Sequence, residues 1–127
     1  MSVKVEFVLS SKEIDVNLVD SLLNIQSSHI RKDYPPKSIA FPEWWIEITE
    51  ESLCIDKTVW LLIQSLADKK QIITQICQKF HITPCLIIRV NSNYENRPEF
   101  VLSPRTITFF SELSAEIMVD LEPVYHD

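Results

Sequence analysis

Val3-Lys4-Val5-Glu6-Phe7-Val8-Leu9 decides the fold class. Val3, Val5, Phe7 and Leu9 point one way, and Lys4, Glu6 and Val8 the other. That alternation reads as a strand with one face buried. A strand covered on both faces, as in a doubly wound sheet, would be a continuous apolar run instead. The same pattern returns at Glu43–Glu50, where Trp44, Ile46 and Ile48 oppose Glu43, Trp45, Glu47 and Thr49. It returns again with Leu86, Ile88 and Val90 against Cys85, Ile87 and Arg89. The last such segment, Glu116–Glu122, sets Ile117, Val119 and Leu121 against Met118 and Asp120. Helical segments separate most of these strands. The expected architecture is an α+β two-layer sandwich, a mostly antiparallel sheet of about five strands with about three to four helices on one face. The fifth strand is expected at Glu99–Leu102.

The helices carry their own signals. Ser10 or Ser11 opens the first, with Glu13 three residues after Ser10 as in a capping box. Leu18, Leu22 and Leu23 mark its buried side, and Asn24 supplies the left-handed stop that glycine usually provides. Residues 26–42 are polar and carry Pro35, Pro36 and Pro42, which reads as a loop with a short strand near Ser28–Lys32. Asp56 reads as the N-cap of a helix with Val59, Leu62, Ile63 and Leu66 inward. Asp68 starts a further helical segment striped by Ile72, Ile73, Ile76, Cys77 and Phe80, and Pro84 follows it. Ser103-Pro104 is a strong start for the last helix, with Ile107, Phe110 and Leu113 inward.

The chain has 127 residues and no glycine, where average usage would give about nine. A P-loop, a dinucleotide fingerprint, a nucleophile elbow and an EF-hand loop all need glycine, so those chemistries are excluded. The length suits one domain over residues 1–127, and 46% apolar content is enough for one core. Eighteen acids against twelve bases give a net charge of −6. Nucleic-acid binding needs clustered bases, and only Arg31-Lys32 and Lys69-Lys70 are compact, so direct nucleic-acid contact is not expected. An acidic protein is better suited to a basic partner. No signal peptide or membrane span is read, and three cysteines without metal or redox spacing point to free thiols in the cytoplasm.

No catalytic, cofactor or metal constellation emerges. Cys77, His81 and Cys85 have ligand-like spacing, but Pro84 breaks the helix before Cys85 and Cys77 falls on the apolar stripe. A thiol nucleophile needs a histidine beside it, and His29 and His126 are the candidates for Cys54 or Cys85. Glu50-Glu51 reads as solvated charge at a strand end. The outward strand set is more suggestive: Glu43, Trp45 and Glu47 on one strand, and Val8, Ile87 and Met118 on the same side of their own strands, beside Glu6, Arg89 and Asp120. An aromatic among aliphatics and acids suits a protein interface, whereas a covering segment would make Trp45 core.

Val5-Glu6-Phe7, Leu23-Asn24-Ile25, Trp45-Ile46, Leu62–Leu66 with Lys69-Lys70, Leu86-Ile87-Ile88, Val101-Leu102-Ser103 and Ile117–Leu121 together resemble a bacterial family of small cytoplasmic proteins with a domain of unknown function. Members are found beside polymorphic or contact-dependent toxins and are proposed to be immunity proteins. The family usually has Leu-Gly-Ile where this chain has Leu23-Asn24-Ile25. The resemblance implies a non-enzymatic immunity protein that neutralises a cognate toxin, such as a basic nuclease, by stoichiometric occlusion. It carries over no catalytic residue. The expected contacts are Glu43, Trp45, Glu47, Met118 and Asp120. The rival readings are a general or homodimeric adaptor using the same face, and then a small enzyme or ligand-binding protein.

Overall fold

A computed structural model of the chain describes residues 2–25, 41–51, 54–92 and 100–123. The first alternating segment becomes β1 (Ser2–Ser10), followed by α1 (Val16–Leu23), β2 (Glu43–Glu50) and α2 (Ile55–Leu66). A single 3-10 turn, Ala67–Lys69, leads into α3 (Lys70–Phe80). β3 (Cys85–Ser92), α4 (Pro104–Glu112) and β4 (Glu116–Pro123) complete the order. The class is α+β.

The sheet order is β2-β1-β3-β4. β1 pairs antiparallel with both β2 and β3, whereas β3 and β4 are parallel. The expected sheet of about five mostly antiparallel strands is met in part: the described residues form a mixed sheet of four, with two of its three pairings antiparallel. Phe100–Leu102, expected in the fifth strand, is irregular. The reason is topological. A strand parallel to its predecessor must start from the same end, so the chain after β3 has to cross back over the sheet. The stretch before α4 belongs to that crossover rather than to a hairpin.

Val3, Val5, Phe7 and Leu9 are fully buried, and Trp44, Ile46, Ile48, Leu86, Ile88 and Val90 join them on one face. All four α-helices add to this cluster, through Val19 and Leu23, Val59 and Leu62, Ile73 and Ile76, and Phe110 and Leu113. The Phe7 and Phe110 rings lie 6.3 Å apart, which seats α4 over the central strand. Arg105 of α4 stacks on Trp60 of α2 with its guanidinium 3.8 Å from the ring centroid.

Capping differs from expectation in two places. α1 begins at Val16, not beside Ser10, because Asp15 caps it through a bond from the Leu18 N–H. That later start turns Val19 and Leu23 inward and leaves Leu22 exposed. Asp56 lies inside the first turn of α2, whose N-cap is Cys54. Its carboxylate instead accepts the Ser103 N–H at 3.0 Å, tying the start of α2 to the start of α4. Ser103 and Pro104 open α4 as expected. Without glycine, the chain places Asn24, His81 and Ser114 at positive φ. Asn24 and His81 cap α1 and α3, and Ser114 lets the Ala115 N–H reach back to the Phe110 carbonyl. The expected strand near Ser28–Lys32, and His29 and His126, lie outside the described residues.

Burial acts to raise the Asp56 pKa. The Ser103 N–H, the Thr106 and Ser103 hydroxyls and the Arg105 charge outweigh it and hold the carboxyl below its ordinary value. A depressed acid contributes stability that is present above its unfolded pKa, about 3.9, and is lost as pH falls through the folded one. Asp56→Asn is therefore expected to cost about 1 kcal/mol at neutral pH. In urea titrations its difference from the parent chain should shrink below about pH 4. A difference that stays constant into acid would show that the carboxylate charge is not what links the two helices.

Candidate functional site

The described helices cover one face of the sheet, and the register places the other face in rows. Trp45, Val8, Cys85 and Glu116 form one row across the strands. Glu47, Glu6, Ile87 and Met118 form the next, and Thr49, Lys4, Arg89 and Asp120 the third. The expected contacts on β2 are thus three strand spacings, about 14 Å, from those on β4.

Burial divides these residues sharply. Trp45 and Glu47 are each only 4% exposed, and Glu6 is fully buried. Glu43 is half-buried. Met118 is 54% exposed and Asp120 is half-buried. Trp45 and Glu47, expected as presented contacts, are therefore not available at the surface of this chain. Burial stops the alternation from acting as a guide here: an outward position in the pleat is not the same as exposure to solvent.

The charges of this face are cross-linked. Arg89 reaches Glu6 through Nε at 3.2 Å and Asp120 through Nη1 at 2.7 Å. Lys4 lies 3.9 Å from Glu47. These contacts tie β1 to both of its neighbours and β3 to β4. Burial acts to lower the Arg89 pKa, but Glu6 and then Asp120 outweigh it and hold it above its ordinary value. The ion pairs balance an otherwise unfavourable arrangement, because Glu6 and Glu47 are direct cross-strand partners. The sequence showed the alternating charges but not their partners, since only register decides which acid meets which base.

Among the described residues the cysteine and histidine candidates do not gather. His81 turns its Nδ1 to Glu13 Oε2 at 2.7 Å. Cys77 packs against the core cluster, and burial pushes its thiol up to about 11. Burial, and then the Glu116 charge, also raise the Cys85 thiol. Both thiols stay protonated at neutral pH, the less nucleophilic form. Among the described residues no group of three or more His, Cys, Asp and Glu side chains is placed to hold a metal ion. No described helix is long and apolar enough to cross a membrane.

Among the described residues, a run of exposed apolar side chains lies on β4. Ile117, Val119 and Leu121 occupy the helix-side face by register, yet they are 40%, 43% and 67% exposed. α4 packs on α2 and sets Phe110 against Phe7 of β1. Among the described residues β4 is also an edge strand.

A family model, the domain of unknown function DUF4279, matches residues 1–123. The chain belongs to the DUF4279 family. No curated protein and no solved structure matches it. In this DUF4279 chain the family match takes in every element of the fold, the β4 edge included. The alternation places Ile117, Val119 and Leu121 on one face together. Their exposure is not legible there, because nothing in a strand's own pattern reports where the neighbouring helix ends.

Proposed function

We propose that this DUF4279 chain is a binding protein that neutralises a cognate basic toxin, such as a nuclease, by one-to-one occlusion, as an immunity protein does. One observation carries the reading: an eight-residue edge strand shows Ile117, Met118, Val119 and Leu121 to solvent, beside Glu116 and Asp120. A long, exposed apolar edge is an aggregation hazard in a protein that works alone, and natural sheets normally cover or blunt it. A partner that seats on it removes the hazard and gains affinity from apolar burial. The net charge of −6 adds electrostatic steering toward a basic surface.

The contact set is revised accordingly. Met118 and Asp120 remain, Ile117, Val119 and Leu121 join them, and Glu43 lies at the far edge of the sheet. Trp45 and Glu47 are buried on the sheet face away from the helices. The buried carboxylates are engaged by Lys4 and Arg89, which is a structural use of charge.

The test is co-expression with the product of the neighbouring gene, which this reading expects to be a basic toxin. The expected result is rescued growth and a co-purified one-to-one complex. Absence of both overturns the reading.

A further inference from the structure

We infer that the free edge of β4 is an acceptor for a β-strand of the partner, one with basic side chains on the outer face and apolar side chains on the helix-side face. The identity of that partner as a toxin rests on the reading above; the edge geometry does not.

The backbone direction is fixed by one bond. The Glu116 N–H donates to the Pro84 carbonyl at 2.9 Å, immediately before β3. In a strand, the backbone groups of successive residues face opposite edges. Glu116, Met118 and Asp120 therefore turn theirs toward β3, and Ile117, Val119 and Leu121 turn theirs to the free edge. Among the described residues these outward N–H and C=O groups bond to no other strand. The three residues with open backbone groups are also the three whose apolar side chains stand exposed on the helix side. One added strand would complete the hydrogen-bond ladder and bury those side chains together, which is the mode of β-augmentation.

Charge selects the occupant. A two-fold pairing of β4 with a second copy is antiparallel and keeps like faces together. Two of the registers that pair two or more of Ile117, Val119 and Leu121 with one another oppose acid to acid, setting Glu116 against Asp120, or Asp120 against Asp120. Like charges directly opposite destabilise a pair. In a chain already at −6, a strand with bases at those positions is attracted where a second copy is repelled.

Two synthetic eight-residue peptides serve as probes, one alternating Lys with Val and the other Glu with Val. Amide hydrogen exchange is read by NMR on the full chain. The Lys peptide is expected to slow exchange at Ile117, Val119 and Leu121 by roughly tenfold or more, and the Glu peptide to leave it unchanged. Val119→Pro removes an outward donor and leaves the β3 ladder whole, since proline is tolerated at an edge whose N–H faces solvent. It should weaken the Lys peptide by roughly tenfold or more while keeping the parent circular dichroism spectrum. If that variant unfolds, Leu121→Lys replaces it, at a side chain too exposed to disturb the core, and should weaken the peptide likewise. Equal slowing by both peptides, or slowing confined to other strands, overturns the inference. So does a dimer in sedimentation, without peptide, that already protects the same amides. A parent chain that captures the Lys peptide but does not rescue growth overturns the toxin reading alone. A folded Val119→Pro chain that still rescues growth overturns the strand acceptor alone.

Discussion

Trp45→Ala should lower the unfolding free energy by about 3 kcal/mol, the usual cost of truncating a buried Trp. At a urea slope near 2 kcal/mol/M the midpoint would fall by about 1.5 M. The side chain is 4% exposed, so deleting the indole leaves a hole rather than a bare surface. Met118→Ala is the control. Met118 is 54% exposed, and its loss should change stability by less than about 0.5 kcal/mol. The two residues should therefore separate cleanly, with Trp45 reporting on folding and Met118 on partner affinity. A Trp45→Ala chain with parental urea midpoint and weakened partner binding would restore Trp45 to the contact surface.

Arg89→Met should be nearly as costly, about 3 kcal/mol. The guanidinium is a charged partner of Glu6, whose side chain is wholly out of solvent, and it also holds Asp120. Methionine keeps much of the aliphatic stem, so the loss reads out charge rather than volume. Asp120 is partly exposed and can turn to water; Glu6 cannot. The double variant Glu6→Gln with Arg89→Met should recover most of the loss, because the buried charge is gone. Chemical denaturation of the two singles and the double closes the cycle. Simple additivity would mean that Arg89 stabilises the sheet by packing alone.

Much of the fold was legible because its signals are local. Val3 to Leu9 alternates with the pleat, and so do Trp44 to Ile48 and Leu86 to Val90, and every one of these faces is oriented as read. Ser103-Pro104 and Asn24 mark helix ends through φ preferences that depend on the residue itself. Where local signals compete, tertiary contacts decide. Ser11 was available to cap, but its hydroxyl donates to the Phe80 carbonyl, and Asp15 takes the cap. Asp56 had a cap's chemistry and found its donor in Ser103, 47 residues away.

The candidate site was legible only in part. Met118 and Asp120 stood out as an apolar and acidic pair on one side of the last strand. Their partners across the sheet, Ile87 and Arg89, come from the parallel register, which no property of the strand itself specifies.

By itself, then, the sequence determined the α+β class, the inward and outward sets of each strand, the acidic balance, and the absence of every glycine-dependent motif. Only the tertiary structure decided that β4 lies parallel to β3 at an edge, that Trp45 and Glu47 are buried, and that Ile117, Val119 and Leu121 remain open. The physical reason is one of range. Alternation and capping follow from each residue's own side chain and φ, whereas exposure depends on which distant element packs over a position.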